Sequence, residues 1–516
     1  MRFTKYIVAF GCAALLGACS STVSSDDDEI VPEKIISNKK ISSSSTSNKK
    51  SSSSVKESEE EVCSGEPGNP WDGTTAKTFA CGSGTKLSPY MILTAEQLAY
   101  LSFIVGANDK EYKGKYFKLG ADIQLNKGKI IDDKGGFVAD STKLHKWTPI
   151  GNSSIAFDGT FDGDNHTISG MFINTTSTHN GLFGNCSGTI ENVTVDNSWV
   201  SGNNSTAGIL GILMGGGTIR NVTNKATIIG KGRATGGVVA GIKNVCCNKI
   251  ETVEGAENYG YVSGNQDVGG IIGGAQEIKI SNVTNDATIV GSTGVGGIAG
   301  TLNYNSKLSN AINYGKITGN SQTAGIAGYH GYKVSCSNPS QNGSLENGVN
   351  YGKIEGESYI AGIIGKNDCT KNTNISNKAD IIGSTYTAGL LGYTKKSSSE
   401  SIYNTGNIVG SKYVGGIIGY NEEGITSAAY STGKVDGDTL VGLMIGYNYN
   451  TTMADYYYLE QGEQEPFGLN NSGGVATPKT AKEMKSDDFA ELLGEDFVFD
   501  SDMNDGYPIL NWEIEE

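Results

Sequence analysis

Arginine is almost missing from these 516 residues: Arg2, Arg220 and Arg233 are the whole set. Lysine and arginine together number 40 against 55 acidic residues, a formal net charge of −15. Phosphate binding needs clustered Lys and Arg, so nucleic-acid partners are excluded. Apolar residues reach only 37%, too few to build one thick core in a chain long enough for several ordinary domains. The cysteines show no CxxC…CxxC spacing, so no metal site and no cofactor is expected. The apolar run near the N-terminus, Tyr6–Leu16, is too short to span a bilayer.

Glycine, by contrast, is abundant: 73 residues, roughly twice the usual ~7% share. Much of it belongs to a returning phrase. Gly181-Leu182-Phe183-Gly184 recurs with its first position at 208, 237, 270, 297, 325, 362, 389 and 416, ending in Leu443-Met444-Ile445-Gly446. A base period of 27 with two short insertions is the mark of stacked repeats. A solenoid needs only a thin core, because each coil covers its neighbour.

Aligning the repeats brings two further columns into register. An aliphatic residue stands at Val200, Ile228, Val262, Ile289, Ile317, Ile354, Ile381, Ile408 and Val435. Four residues earlier stand Asn224, Asn258, Asn285, Asn313, Asn350, Asn377 and Asn404, with Asp196 and Ser431 in the flanking coils. Asparagine tolerates turn backbone, and its amide can bond the same group one coil above and below. A row of sugar-binding amides is the other reading, and the periodicity favours a structural ladder. Val414-Gly415-Gly416-Ile417-Ile418-Gly419 shows the phrase in full: branched residues suit strands, and glycines permit bends and close approach. Each coil therefore reads strand, turn, strand, bend, strand. The predicted fold is all-β, a right-handed parallel β-helix, its hand following the general preference of parallel crossovers. Thr94-Ala95-Glu96-Gln97 is a capping box opening a helix to about Val105, and Ser486 starts another through Leu493. These would close the ends of the stack, as solenoids require.

The N-terminus reads as an address. Arg2 and Lys5 precede the apolar run, and Leu16-Gly17-Ala18-Cys19 resembles a bacterial lipobox. That resemblance implies cleavage before Cys19, its acylation, and membrane attachment through the acyl chains, with the outer membrane the expected site. The expected domains are a signal peptide (1–18), a disordered Ser/Lys/Glu-rich tether (19–62), an N-terminal cap (63–114), the parallel β-helix (115–458) and a C-terminal cap (459–516). Export favours disulfides. Cys63 and Cys81 flank one compact segment, while Cys336 and Cys369 would meet at the ~4.8 Å spacing of stacked strands. Cys246 and Cys247 are adjacent in an insertion, and Cys186 has no obvious mate.

The segment Phe157-Asp158-Gly159-Thr160-Phe161-Asp162-Gly163-Asp164-Asn165-His166-Thr167-Ile168, with the phrase at Gly181, resembles the entry to bacterial GLUG-repeat surface proteins. Trp147-Thr148-Pro149-Ile150-Gly151 and Asn504-Asp505-Gly506-Tyr507-Pro508 resemble their upstream and closing portions. The resemblance covers about residues 85 to 512 and implies a cell-surface or secreted β-solenoid, often adhesin-like, with no shared catalytic residues.

Parallel β-helices also carry polysaccharide lyases and hydrolases, which need acids gathered on one face. The densest acidic phrase, Asp158, Asp162 and Asp164 beside His166, reads as turn chemistry. Asp500-Ser501-Asp502 begins like a calcium loop, but Asp505 stands where glycine is needed. No coil breaks the pattern as a grafted active site would. Tyrosine rows are the better site: Tyr359, Tyr386 and Tyr413 recur every 27 residues, as do Tyr393, Tyr420 and Tyr447. Exposed, they form platforms for sugar rings or extended polymers; buried, they only stabilise the stack. Tyr314 and Tyr351 form a weaker set. The expected function is a non-catalytic surface module binding polysaccharide or another surface polymer or protein. A polysaccharide-degrading enzyme and a passive envelope protein are the alternatives.

Overall fold

The computed structural model describes residues 63–243, 249–331, 336 and 343–514. The signal peptide, Cys19, the tether and the Cys246–Cys247 pair lie outside the described residues. About half of the residues are strand, wound into about 13 turns of a parallel β-solenoid with coils near 27 residues. Three parallel sheets of 16, 17 and 11 strands form its faces.

One coil shows the construction. Lys371–Asn377 belongs to the first sheet, Ile381–Ile382 and Thr385–Ala388 to the second, and Leu391–Lys395 to the third; Ser398 then opens the next coil. The second face is thus broken into two short strands. They fuse only where the chain runs on as Ile317–Ala324 and Ile354–Ala361. Left-handed residues recur at fixed places in each coil. Asn374, Tyr386 and Lys396 all have φ between +50° and +57°. Their equivalents in other coils do likewise, for instance Asn347, Tyr359 and Glu423. Each left-handed residue bends the chain, and asparagine adopts that conformation at less cost than other non-glycine residues.

Stacking is in register over the whole column of aliphatics. Val200 pairs with Ile228, Ile228 with Val262, and so on through Ile408 with Val435. All nine are buried. Removing such rows from water is the main stabilising term, about 25 cal/mol per Å² of apolar area.

The asparagines face inward beside them. Asn224, Asn258, Asn285, Asn313, Asn350, Asn377 and Asn404 are all 0% exposed. Each Nδ2 from Asn224 to Asn377 donates to the Oδ1 of the next at 2.7–2.8 Å. It also donates to a backbone carbonyl two residues on, such as Gly315 from Asn313 at 2.9 Å. At the start of the row Asn224 pairs with Val195; Asp196 stands one place beyond the column, because that coil is a residue longer there. Ser431 pairs with Asn404 at the other end.

The phrase glycines and the ladder explain each other. A Cβ added to Gly237, Gly270, Gly297, Gly325 or Gly362 would lie 2.3–2.4 Å from a ladder Oδ1. None of these glycines has positive φ, so space, not backbone freedom, demands them. Beyond Ser431 the column continues as Tyr458, and the corresponding phrase position is Leu443. Glycine ends where the ladder ends.

The stack reaches past the 115–458 limits read from the repeat. Tyr90–Ile92 already pairs in parallel with Tyr116–Leu119, and Thr477–Lys479 extends the first sheet beyond Tyr457. Phe467–Asn470 extends the third. These coils lack the glycine phrase, so their period is invisible in sequence. At the N-terminal end the helix Ala95–Gly106 has its capping box, Thr94 with Gln97, and buries Leu98, Leu101 and Ile104. At the other end Ala481–Met484 and Asp487–Leu493 are helical. This segment does more than cover an end. Phe489, Phe497, Ile509 and Leu510 pack with Tyr403, Tyr430 and Tyr457 on the flank of the first sheet.

Disulfides join Cys63 to Cys81 and Cys336 to Cys369, with Cα separations of 4.8 and 5.4 Å. Among the described residues Cys186 is the free cysteine, and burial pushes its thiol up to about 12. Only a thiolate alkylates. Cys186 in the native protein should therefore stay unlabelled by iodoacetamide at neutral pH and label fully in denaturant, read by peptide mass spectrometry. Native labelling would show that this strand opens.

Candidate functional site

Two elements of each coil place the tyrosines. Tyr359, Tyr386 and Tyr413 occupy the left-handed slot of the second sheet, with φ of +57° to +58°. Tyr393, Tyr420 and Tyr447 lie in register on the third sheet, following Tyr329 and Lys366 in the same column. Other coils put Gln322 or Leu440 in the first slot and Thr301 in the second, so neither slot requires an aromatic residue.

All six tyrosines are half-buried. Tyr359 and Tyr386 stack at 4.7 Å and 10°, Tyr386 and Tyr413 at 4.9 Å and 6°. In the second row Tyr420 lies 5.4 Å from Tyr393 and 4.7 Å from Tyr447. The rows also touch each other edge to face, Tyr359 and Tyr386 each 6.0 Å from Tyr393, and Tyr413 5.4 Å from Tyr420. The result is one continuous aromatic cluster across four coils, each ring contact adding about 0.5–1.5 kcal/mol.

Its charges are internally matched. Glu422 accepts a hydrogen bond from the Tyr393 hydroxyl and pairs with Lys395 at 2.6 Å. Lys366 lies 5.7 Å above the Tyr393 ring, and Lys412 4.8 Å above Tyr413. Burial, then the neighbouring phenols, raises Tyr386; burial first pushes Tyr420 up to about 12; burial and the Glu422 bond hold Tyr393 higher still. These phenols stay neutral, able to donate and accept hydrogen bonds, over the whole physiological range. Tyr314 and Tyr351 stack separately at 5.0 Å.

The other chemical candidates are occupied by structural work. Asp158 accepts the Gly114 amide at 3.1 Å, and Asp162 accepts Asp164 N and Asn192 Nδ2, both at 2.9 Å. Asp164 pairs with Lys118 at 3.0 Å, and His166 lies 3.1 Å from Asp122. Asp267 is buried between Arg233 at 2.5 Å and Thr301 at 2.7 Å. Asp500 accepts the Asp502 amide, and Asn504 donates to the Tyr430 hydroxyl. The ladder asparagines, wholly buried, present no surface to a sugar.

Two rows escaped the sequence reading. Asn282, Asn310, Asn347 and Asn374 form an outer ladder at 2.7–3.2 Å. Its signal was an Asn-x-x-Asn spacing ahead of the inner ladder. Tyr403, Tyr430 and Tyr457 repeat every 27 residues like the half-buried rows, yet lie under the C-terminal segment, Tyr403 and Tyr430 stacked at 4.9 Å and 1°.

No family model matches the chain, so the GLUG-repeat resemblance rests on its motifs. The chain is 35% identical over 173 residues to halomucin of Haloquadratum walsbyi, a match covering 32% of this chain and 2% of that protein. It is 32% identical over 153 residues to the "Putative Gly-rich membrane protein" of Evansella cellulosilytica, covering 29% of this chain and 16% of that one. The matches thus span a small part of either relative. A crystal structure of "a putative immunoglobulin A1 protease" from Bacteroides ovatus aligns over 84% of this chain and 95% of its own, at 17% identity and a TM-score of 0.27. A likeness that low carries no argument. Among the described residues no helix is long and apolar enough to cross a membrane.

Proposed function

We propose that the protein is a lipid-anchored, non-catalytic module of the cell surface that holds an extended polymer, a polysaccharide first of all, on its tyrosine face. One observation carries the reading: two tyrosine rows that the fold does not require meet edge to face in one half-buried aromatic cluster that runs along the stack. The apolar ring atoms left uncovered suit the apolar side of a sugar ring, and the neutral hydroxyls suit its rim. The repeat of that cluster along the stack matches a ligand that is itself a repeating chain. Anchoring through Cys19 and placement at the outer surface agree with the lipobox-like sequence and with relatives named as a halomucin and a membrane protein.

The test uses residues the fold already accepts in these slots. Tyr386→Gln and Tyr420→Thr copy Gln322 and Thr301, so the coils should stay wound, with an unchanged far-ultraviolet β signal, even though ring contacts are lost. Binding to a panel of plant and microbial polysaccharides, measured by affinity electrophoresis with the intact chain, should fall about tenfold or more in the double variant. A panel with no binding, or binding indifferent to the double variant, sinks the reading.

A further inference from the structure

A second aromatic feature lies in the first coils, away in sequence from the tyrosine face. Trp71, Phe103, Trp147 and Thr148 line a cleft of about 460 Å³, which shares Ser102, Gly106, Trp147 and Thr148 with an adjoining cleft of about 760 Å³. Both volumes fall within the ~300–1,000 Å³ of ligand sites. Their shared residues make them one groove with two characters.

The first half is an apolar platform. Trp71 packs edge to face on Trp147 at 5.9 Å, and Trp147 is fixed by donating its indole N–H to the Leu182 carbonyl at 3.1 Å. Trp71 donates its own to Thr74 at 2.7 Å, so both indoles are held rigid. Phe103 is 64% exposed on the cap helix, while Leu98, Leu101 and Ile104 take that helix's core positions. Nothing in the fold needs a phenyl ring there.

The second half is polar and almost uncharged. Asn152, Asn174, Ser177, Thr178 and His179 line it, with Lys146 the one lysine and no carboxylate in either lining. In a chain of net charge −15, that gap sets the groove apart. Burial, then Lys243, lowers His179, so its imidazole is neutral at physiological pH. The adjacent sheet edge offers no strand-shaped docking for a peptide. Phe183–Cys186, first strand of the third sheet, is already bridged by Ile150 and Phe157, and peptides that add to a sheet need a free edge.

An apolar platform leading into neutral amides and hydroxyls is the complement of a pyranose chain, whose rings carry an apolar face and a rim of hydroxyls. We propose that this groove is a second glycan site, taking a neutral oligosaccharide that stacks on Trp71 and Phe103 and hydrogen-bonds along Asn152, Asn174 and His179. It uses none of the residues of the tyrosine face and stands or falls apart from it.

The experiment titrates the intact chain with maltohexaose, cellohexaose, xylohexaose and mannohexaose, reading tryptophan fluorescence and heat. At least one should bind and change the fluorescence. Phe103→Ser, at an exposed position that leaves the fold alone, and Trp71→Ala should each weaken it about tenfold. Tyr386→Gln/Tyr420→Thr should not. The proposal is overturned if none of the four binds at millimolar concentration. Binding unchanged in both groove variants, or lost only in the tyrosine variant, overturns it too, the latter leaving the tyrosine face standing. Competition by a mixed peptide pool at lower concentration than any sugar would assign the groove to peptide instead.

Discussion

Gly297→Ala is expected to disrupt the stack at the joint between two coils. The added Cβ would sit 2.2 Å from the Gly325 carbonyl oxygen and 2.3 Å from Asn313 Oδ1. The first is backbone of the next coil, and the second is stitched on both sides, so neither can retreat. Neighbouring coils must part. Asn313→Ala attacks the same joint from the other side. It leaves Asn285 without its 2.8 Å acceptor and Asn350 without its 2.8 Å donor, and it strips the Gly315 carbonyl of a partner. An unsatisfied buried group costs about 1–3 kcal/mol; because Asn285 and Asn350 each keep a second bond, about 2–4 kcal/mol in all is expected. Gly274→Ala is the control, its Cβ meeting nothing nearer than 3.4 Å. Long repeat arrays need not unfold as one unit, so hydrogen exchange over the coils from Asn285 to Asn350 is the proper measurement. Fast exchange in the Gly297 and Asn313 variants with protection intact in the Gly274 variant is the expected pattern. Equal protection in all three would mean that glycine and ladder are not coupled.

That coupling shows what the sequence makes legible and what it hides. A period of 27 exposes any feature forced by stacking, because each coil must solve the same packing problem as the one beneath it. The aliphatic column at Ile228 and Ile289 and the coil architecture are therefore readable from spacing alone. Tyrosine is different. Tyr386, Tyr420 and Tyr430 share the same period, yet the first two are half-buried and the third lies under Phe489 and Phe497. Periodicity tells which residues stack, not what covers the stack, and the covering segment is itself aperiodic. The outermost coils are hidden for a related reason: Tyr90–Ile92 and Phe467–Asn470 pair through backbone, which carries no residue signature. The groove at Trp71 and Phe103 belongs to this aperiodic part too, joining residues more than thirty apart that no repeat aligns.

Glu513→Ala is expected to release the covering segment while leaving the coils wound. The Glu513 carboxylate is fully enclosed, accepting hydrogen bonds from Ser376 and Tyr403, both at 2.5 Å, and pairing with Lys378 at 2.8 Å. Ser376 and Lys378 lie at the end of one first-sheet strand and Tyr403 in the next, so a single side chain ties the C-terminal segment to two coils. Breaking one partner of a buried pair costs about 3–5 kcal/mol. Lys378 keeps slight access to water and the Tyr351 ring at 5.0 Å, so the lower end applies to losing the acid. Lys378→Ala, which strands the carboxylate in the interior, should cost more. Lys378→Met/Glu513→Leu, which removes both charges, should recover most of the loss. Alkali offers the same release by another route. Burial, then Glu513, holds Tyr403 well above its ordinary value of 10.0, so the folded state favours the neutral phenol. Its contribution is complete below pH 10 and declines as the pH rises, because the released chain ionises first. Limited chymotrypsin digestion should therefore cut between 481 and 514 early in Glu513→Ala, and in the parent above pH 10, with the far-ultraviolet β signal retained. Simultaneous loss of that signal would instead make the segment part of one cooperative unit with the solenoid.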